Sequence, residues 1–484
     1  AIEAGAGVLM NVALEVQEPE EDATHLQRKL DVGLACHKCL TIIGHLATSR
    51  QNTGFVSNMF RLLAAVCLHE DIALLLHRKQ AATKTLEYLK AFRSEPSVQA
   101  SGCAFLSNLA NSKLRIREAI VGVGSLEYLI GELKASSHDA VVVQSMCKAL
   151  KDLSPAEAAI DTLKRYNIID LVFEAADRHL SEATVMEASL ALLWTLSAIH
   201  RYAEELNTKD ATNRALEVLR RHSGHHDVCR CCGGLLRNLF AAPLSAKAAD
   251  ECLAAGGLRL LLDALWQHCL PPVQGTMSQA AYAWAKRGSM ESMDPEGEAG
   301  PPKRAGSTLE GNGINRAGSI LGRRGSNLPQ EANGAGPSGR RTSVGRTSGI
   351  RRNSIRRQSD PDLAVKVFNL DAADAVSTVE KMAVAEQILA ALRNLVAFSK
   401  LSSALAEEIY KNEEWDNLRM VVELYPKSIM VQYQGFELVG KLVTAKRELR
   451  AAFRQIADHV LLTNLNHKNT PVADVAELLL EALN

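Results

Sequence analysis

Aromatic residues are scarce in this sequence: Phe, Trp and Tyr together make up 5% of 484 residues. A core built on aromatic clusters is therefore excluded. With 47% hydrophobic residues, carried mainly by Leu, Ala and Val, the composition favours helices packed closely through small side chains over a β-sandwich. Net charge is missing as well. Lys plus Arg and Asp plus Glu number 55 each, so no molecule-wide field steers the chain toward nucleic acid or an anionic membrane. No apolar run approaches the roughly 18 residues of a membrane span, because charged residues interrupt every helical stretch. The ten cysteines are irregularly spaced inside apolar stretches such as Leu63–Leu68 and Ser145–Leu150, which reads as reduced core thiols rather than a disulfide framework. The compartment this implies is cytoplasmic, with cytoskeletal, ciliary or nuclear placement left open.

Reactive constellations are absent too. There is no glycine-rich phosphate loop, no nucleophile elbow and no His-Glu-x-x-His phrase, so no catalytic residue can be named and no cofactor is implied. The most metal-like cluster is His222, His225, His226, Cys229, Cys231 and Cys232. A zinc site wants a second ligand pair at a spacing that closes a tetrahedron, and none follows, so the cluster reads as a turn leading into a helix with buried thiols. Cys36-His37-Lys38-Cys39 lies within the apolar period of Leu34, Leu40, Ile43 and Leu46 and reads as a helix face. No metal is expected at either place, and the chain reads as non-enzymatic.

What the sequence does contain is repetition. In Val98–Ala135, the residues Ala104, Leu106, Leu109, Ile116, Ile120, Leu126, Leu129 and Leu133 fall near helical spacing, with a break at Gly124 that separates two helices. Similar phrases recur downstream, anchored at Leu109, Leu153, Leu196 and Leu239, then at Leu395 and Leu442. The anchors lie about 43 to 47 residues apart within each group, inside the range of two- and three-helix repeats. Ala35–Leu46 and Asn58–Phe92 keep the helical period without the Asn-Leu signature.

The recurring phrase, Leu106-Ser107-Asn108-Leu109, Leu236-Arg237-Asn238-Leu239 and Leu392-Arg393-Asn394-Leu395, resembles the armadillo repeat. The resemblance implies an all-α, right-handed α-solenoid of armadillo-like repeats that binds other proteins along its concave surface. It places Asn108, Asn238 and Asn394 where an armadillo array contacts the backbone of an extended peptide, with Arg237 and Arg393 beside them to pair acidic side chains. The chain departs from nuclear-import receptors of this family, which repeat a Trp and an Asn four residues apart: Trp194 is followed four residues later by Ala198. Ile2–Gly7 resembles the end of a repeat, so further repeats are expected before Ala1.

Between Pro271 and Pro361 the apolar period stops and Gly, Ser, Pro, Arg and Asn dominate, a composition too poor in buried surface to offset chain entropy. The expected organisation is an array over 1–270, a disordered basic insert over 271–362 and repeats of the same solenoid over 363–484. The insert carries five [Lys/Arg]-Arg-x-Ser phrases, ending at Ser289, Ser326, Ser343, Ser354 and Ser359. Paired guanidinium groups ahead of a serine suit the acidic cleft of a basophilic Ser/Thr kinase and resemble substrates of cyclic-nucleotide-dependent kinases. Pro361, two residues after Ser359, adds a likeness to docking motifs of phosphoserine-binding adaptors.

Lys286–Arg357 holds fourteen basic residues against six acidic, an excess that phosphates of about −1.5 to −2 each would cancel or reverse. No aromatic lies between Gly288 and Leu363, so base stacking is missing and no specific nucleic-acid recognition is expected. The reading that results is an interaction scaffold regulated through its insert. The alternative is a structural subunit of a cytoskeletal or ciliary assembly whose basic loop binds an acidic polymer.

Overall fold

The computed structural model describes residues 23–49, 52–241, 245–270, 372–466 and 470–483. The Ile2–Gly7 phrase and the five serines of the 271–362 segment lie outside them. Every regular element among the described residues is helical. After Ala23–Ser49 (α1), the helices come as triplets, each opening on its longest member. The first five are Thr53–Val66 (α2), Glu70–Arg78 (α3) and Ala81–Ala91 (α4); Pro96–Ser112 (α5), Leu114–Gly122 (α6) and Ser125–Ala135 (α7); Ala140–Leu153 (α8), Ala159–Arg165 (α9) and Ile168–Asp177 (α10); Ala183–Ser197 (α11), His200–Thr208 (α12) and Ala211–Arg221 (α13); His226–Ala241 (α14), Ser245–Ala254 (α15) and Gly257–Cys269 (α16). Two more follow the undescribed segment: Ala372–Leu395 (α17), Ser399–Lys411 (α18) and Trp415–Leu424 (α19); Ile429–Ala445 (α20), Leu449–Phe453 (α21) and Ala457–Asn466 (α22), before a last helix, Pro471–Leu483 (α23).

The long helices stack in chain order, α2 on α5, α5 on α8, α8 on α11, α11 on α14, α14 on α17, α17 on α20 and α20 on α23. The chain is thus an all-α solenoid, in which each repeat covers the apolar flank of its neighbour. All six anchor leucines, Leu109, Leu153, Leu196, Leu239, Leu395 and Leu442, are fully buried in one continuous core. All ten cysteines are buried and none is bridged. Burial pushes the Cys103 and Cys147 thiols up to about 12, leaving them protonated and unreactive. Cys36 and Cys39 are buried with Leu40 and Ile43 on one side of α1, whereas Leu34 of the expected apolar period is exposed.

The Val98–Ala135 unit differs from its reading as two helices: it holds three, α5, α6 and α7. Gly124 is indeed a break, with φ +82°, but the chain also breaks at Lys113, whose extended backbone ends α5 and starts α6. That second break carries neither Gly nor Pro and so leaves no signal in the sequence. The Gly124 turn recurs in each repeat from α3–α4 to α15–α16. A residue with positive φ precedes the third helix at Gln80, Gly124, Asn167, Asp210 and Gly256, and the same left-handed turn returns at Glu413. Two of the entries to a long helix are fixed by a side chain: Asp139 accepts the N–H groups of Val141 and Val142, and Ser428 accepts that of Val431.

A buried glutamine at the fourth position of a long helix fastens two of these turns. Gln99 donates to the carbonyls of Leu89 and Phe92 at 2.8 and 3.0 Å, and Gln432 to those of Val422 and Tyr425 at 2.7 and 2.9 Å. Each amide ties the start of a long helix to two carbonyls at the end of the helix before it. No described helix is long and apolar enough to cross a membrane.

Candidate functional site

The Leu-x-Asn-Leu phrase sits at the same register of the long helices α5, α14 and α17, and its asparagine bonds the repeat before it. Asn108 donates to the carbonyl of Ala64 at 2.8 Å, Asn394 to that of Arg237 at 2.8 Å, and Asn238 to that of Trp194 at 3.4 Å and to the Ser197 hydroxyl at 3.0 Å. The register holds even where the residue changes: Asp152 on α8 accepts the hydroxyl of Ser107 on α5. These asparagines therefore tie repeats together, and the peptide contact expected of them competes with bonds the array already uses.

Arg237 and Arg393 precede two of the asparagines and share one local geometry. The Nε and one terminal nitrogen of each arginine donate to the Oδ1 of the next residue, at 3.2 and 3.1 Å for Arg237 on Asn238 and at 3.1 and 2.6 Å for Arg393 on Asn394. Beyond that fork they part. The third nitrogen of Arg393 pairs with the Glu437 carboxylate on α20 at 3.1 Å, and its guanidinium lies 5.8 Å from the ring of Tyr433. Arg237 reaches only the neutral Oε1 of Gln387 on α17, at 2.8 Å, and lies 5.9 Å from the ring of Trp194. Among the described residues no carboxylate lies within ion-pair distance of Arg237. Burial and the charge of Arg393 pull its pKa below the usual arginine value, while Glu386 opposes them.

Trp194 reaches this place because the second of two successive glycines of α14, Gly234, faces it. A methyl group on Gly234 would overlap the indole, so the ring packs against bare backbone there, between Arg230 and Arg237. Gly233 does the same for the next repeat: a Cβ would stand 3.2 Å from the Gln387 backbone. The glycine pair thus closes α14 onto α11 on one side and onto α17 on the other.

Glu386 completes the group. Its carboxylate accepts the Ser428 hydroxyl at 3.0 Å, and burial pushes it up to about 7 against the lowering pull of Ser428 and Arg237. A carboxyl of this kind changes charge near neutrality. Arg237, Asn238, Arg393 and Asn394 are accordingly brought together, whereas Asn108 lies several repeats away on α5. Glu386, Gln387, Ser428, Glu437 and the glycine pair were not singled out by sequence reasoning. Only the glycine pair carries a local signal, two glycines inside a helical period.

The histidine and cysteine cluster is divided among structural roles. His222 places Nε2 2.8 Å from the Leu180 carbonyl, as His179 does toward Ser137 at 2.9 Å and His268 toward Ser223 at 2.6 Å. A carbonyl only accepts, so each ring donates an Nε2–H, and four successive repeats are joined by three copies of the same bond. Cys229, Cys231 and Cys232 are buried within α14. Among the described residues no group of three or more His, Cys, Asp or Glu is placed to hold a metal ion.

No protein-family model and no curated protein matches the chain. Solved structures similar to it include an engineered protein, 18% identical, aligned over 48% of this chain and 89% of that one with a TM-score of 0.40. A chain from work on a conserved phosphorylation switch controlling the interaction between cadherin and beta-catenin is 11% identical over 99% of this chain and 83% of that one, TM-score 0.43. SYS-1 is 10% identical over 98% and 91%, TM-score 0.32. Likeness at this level adds nothing to the fold read from the helices themselves.

Proposed function

We propose that this chain is a non-enzymatic interaction scaffold of the armadillo type, holding an extended protein segment along the face of its long helices. The observation that carries the reading is the alignment of Trp194, Arg237, Arg393 and Tyr433 on consecutive long helices, each partly exposed and held in place by a neighbouring repeat. The repeats on both sides of the 271–371 segment form one array, a reading supported by the packing of α17 on α14 and α16. The proposed regulator is a basophilic kinase acting on Ser289, Ser326, Ser343, Ser354 and Ser359, with phosphoserine-binding adaptors as further partners and the cytoplasm as the place of action. What supports it is the sequence pattern and its charge excess.

Quantitative affinity purification from native extract tests both parts, comparing the intact chain with a Trp194→Ala, Arg393→Ala pair and with a five-fold Ser→Ala form. The face variants are expected to lose at least one abundant partner, and the serine variants to change the amounts recovered. Retention of every partner by the face variants rules out the long-helix face. Binding that survives the face variants but fades steeply with salt would favour the alternative, an acidic polymer held by the basic segment.

A further inference from the structure

Between most repeats the chain itself does part of the joining. Each long helix from α5 to α14 begins a few residues after the helix before it, as Ala140 follows Ala135 and His226 follows Arg221. One junction has no such short link: α16 ends at Cys269, and α17, which packs on α14 and α16, begins at Ala372. What holds α17 against those helices is non-covalent, and the chain between them contributes a local concentration only.

This junction has the make-up of an interface between two proteins, with an apolar centre, buried hydrogen bonds and an ion pair at its edge. At the centre, Ile388, Leu389 and Leu392 of α17 are fully buried. A Cβ on Gly233 would stand 3.2 Å from Ile388 Cγ1 and from the Gln387 backbone, so the helices meet where α14 carries no side chain. Hydrogen bonds cross in both directions: Arg237 donates to Gln387 Oε1 and Asn394 to the Arg237 carbonyl, both at 2.8 Å. At the end of α16 the Cys269 thiol donates to the Lys381 carbonyl at 3.5 Å. Along α16, one terminal nitrogen of Arg259 donates to both oxygens of Glu414, at 2.8 and 2.9 Å, with Glu408 3.8 Å away. The Glu414 side chain is only 13% exposed, so losing the arginine would strand a largely desolvated charge.

We propose that the α14–α16 face is a self-sufficient docking surface whose ligand is the helical array 372–483 of this chain, so that the scaffold stays assembled when the chain is cut within 271–371. Every bond named above joins groups on opposite sides of such a cut, and cutting removes none of them. What it removes is the local concentration, so assembly then depends on the affinity of the two faces alone. A protease acting within 271–371 would break the covalent link between the arrays and leave the long-helix face whole.

The test uses the full chain with the recognition sequence of a site-specific protease inserted after Gly313. After cutting, size-exclusion chromatography with light scattering at about 1 μM protein is expected to return one species of the uncut mass that contains both fragments. Two variants probe the faces: Gly233→Leu puts a side chain where the α17 backbone lies, and Arg259→Ala removes the edge ion pair. Uncut, both should keep the helicity of the wild type by circular dichroism, because the connection holds the arrays near each other. Cut, Arg259→Ala should weaken the fragment pair by about tenfold or more and Gly233→Leu should separate it. Separation of the cut wild-type fragments at that concentration overturns the proposal, as does a cut Gly233→Leu, Arg259→Ala double variant that holds together as firmly as the cut wild type. Either result leaves the partner-recovery comparison of the Trp194→Ala, Arg393→Ala form untouched.

Discussion

At the scale of single residues, Gly234 is the position where the least chemistry has the largest consequence. Replacing it by alanine drives a methyl into the Trp194 indole and, because both belong to helices held on either side, relief requires moving a ring or a helix. Over-packing of this kind costs about 1–3 kcal/mol, and urea denaturation of Gly234→Ala is expected to show that loss. Glu386 gives a prediction with a sign. Its folded pKa, about 7, lies above the ordinary value of 4.5, so the native state holds the extra proton between those limits. The stability it contributes is present at low pH and falls as pH rises from about 4.5 to 7. Glu386→Gln should therefore match the wild type near pH 5 and exceed it by about 1–3 kcal/mol at pH 8, read from thermal or denaturant unfolding at both pH values.

At the scale of elements, the left-handed turn before the third helix of each repeat is one shape filled by unequal residues. Gly124 and Gly256 adopt it without strain and Asn167 and Asp210 tolerate it, but Gln80 holds φ +58° as an exposed long side chain. Gln80→Gly should raise stability by about 0.5–1 kcal/mol, measurable as a higher denaturation midpoint with an unchanged slope. Much at this level was legible in the sequence. The spacing of Leu109, Leu153, Leu196 and Leu239 marked the long helices, and Gly124 marked its turn. Lys113 did not mark the break beside it, because an extended residue between two helices needs no special side chain. The candidate site was legible only in part. Arg237 and Arg393 stood out through their shared phrase, yet what separates them is whether a carboxylate 44 residues later, Glu437, has a counterpart at the other position. Glu386 and Ser428 belong to different repeats and come together only when α17 and α20 stack, so neither is visible before the fold exists.

At the scale of the whole molecule, the array is held by bonds that repeat one unit apart. The Asn108 and Asn238 bonds span 44 residues each, and those of His179 and His222 span 42. Charges on the third helices follow suit, with Glu127 pairing Arg165, Asp170 pairing Lys209 and Asp177 pairing Arg214. Such an interaction set is local at every step, so stability accumulates by nearest neighbours.

One seam breaks this rule. Where α17 meets α14, the bonds from Arg237 to Gln387 and from Asn394 to Arg237 span 150 and 157 residues, and Arg259 reaches Glu414 across 155. Contacts of such sequence separation form late, because the chain must bring distant segments together before any of them is rewarded. Gly233 sits at this seam, where a Cβ would stand 3.2 Å from the Gln387 backbone, so a close helix approach is also a delayed encounter. A repeat protein that could grow from either end by small additions is thereby turned into two growing arrays that must find each other, and the Gly233 side of α14 is where they meet.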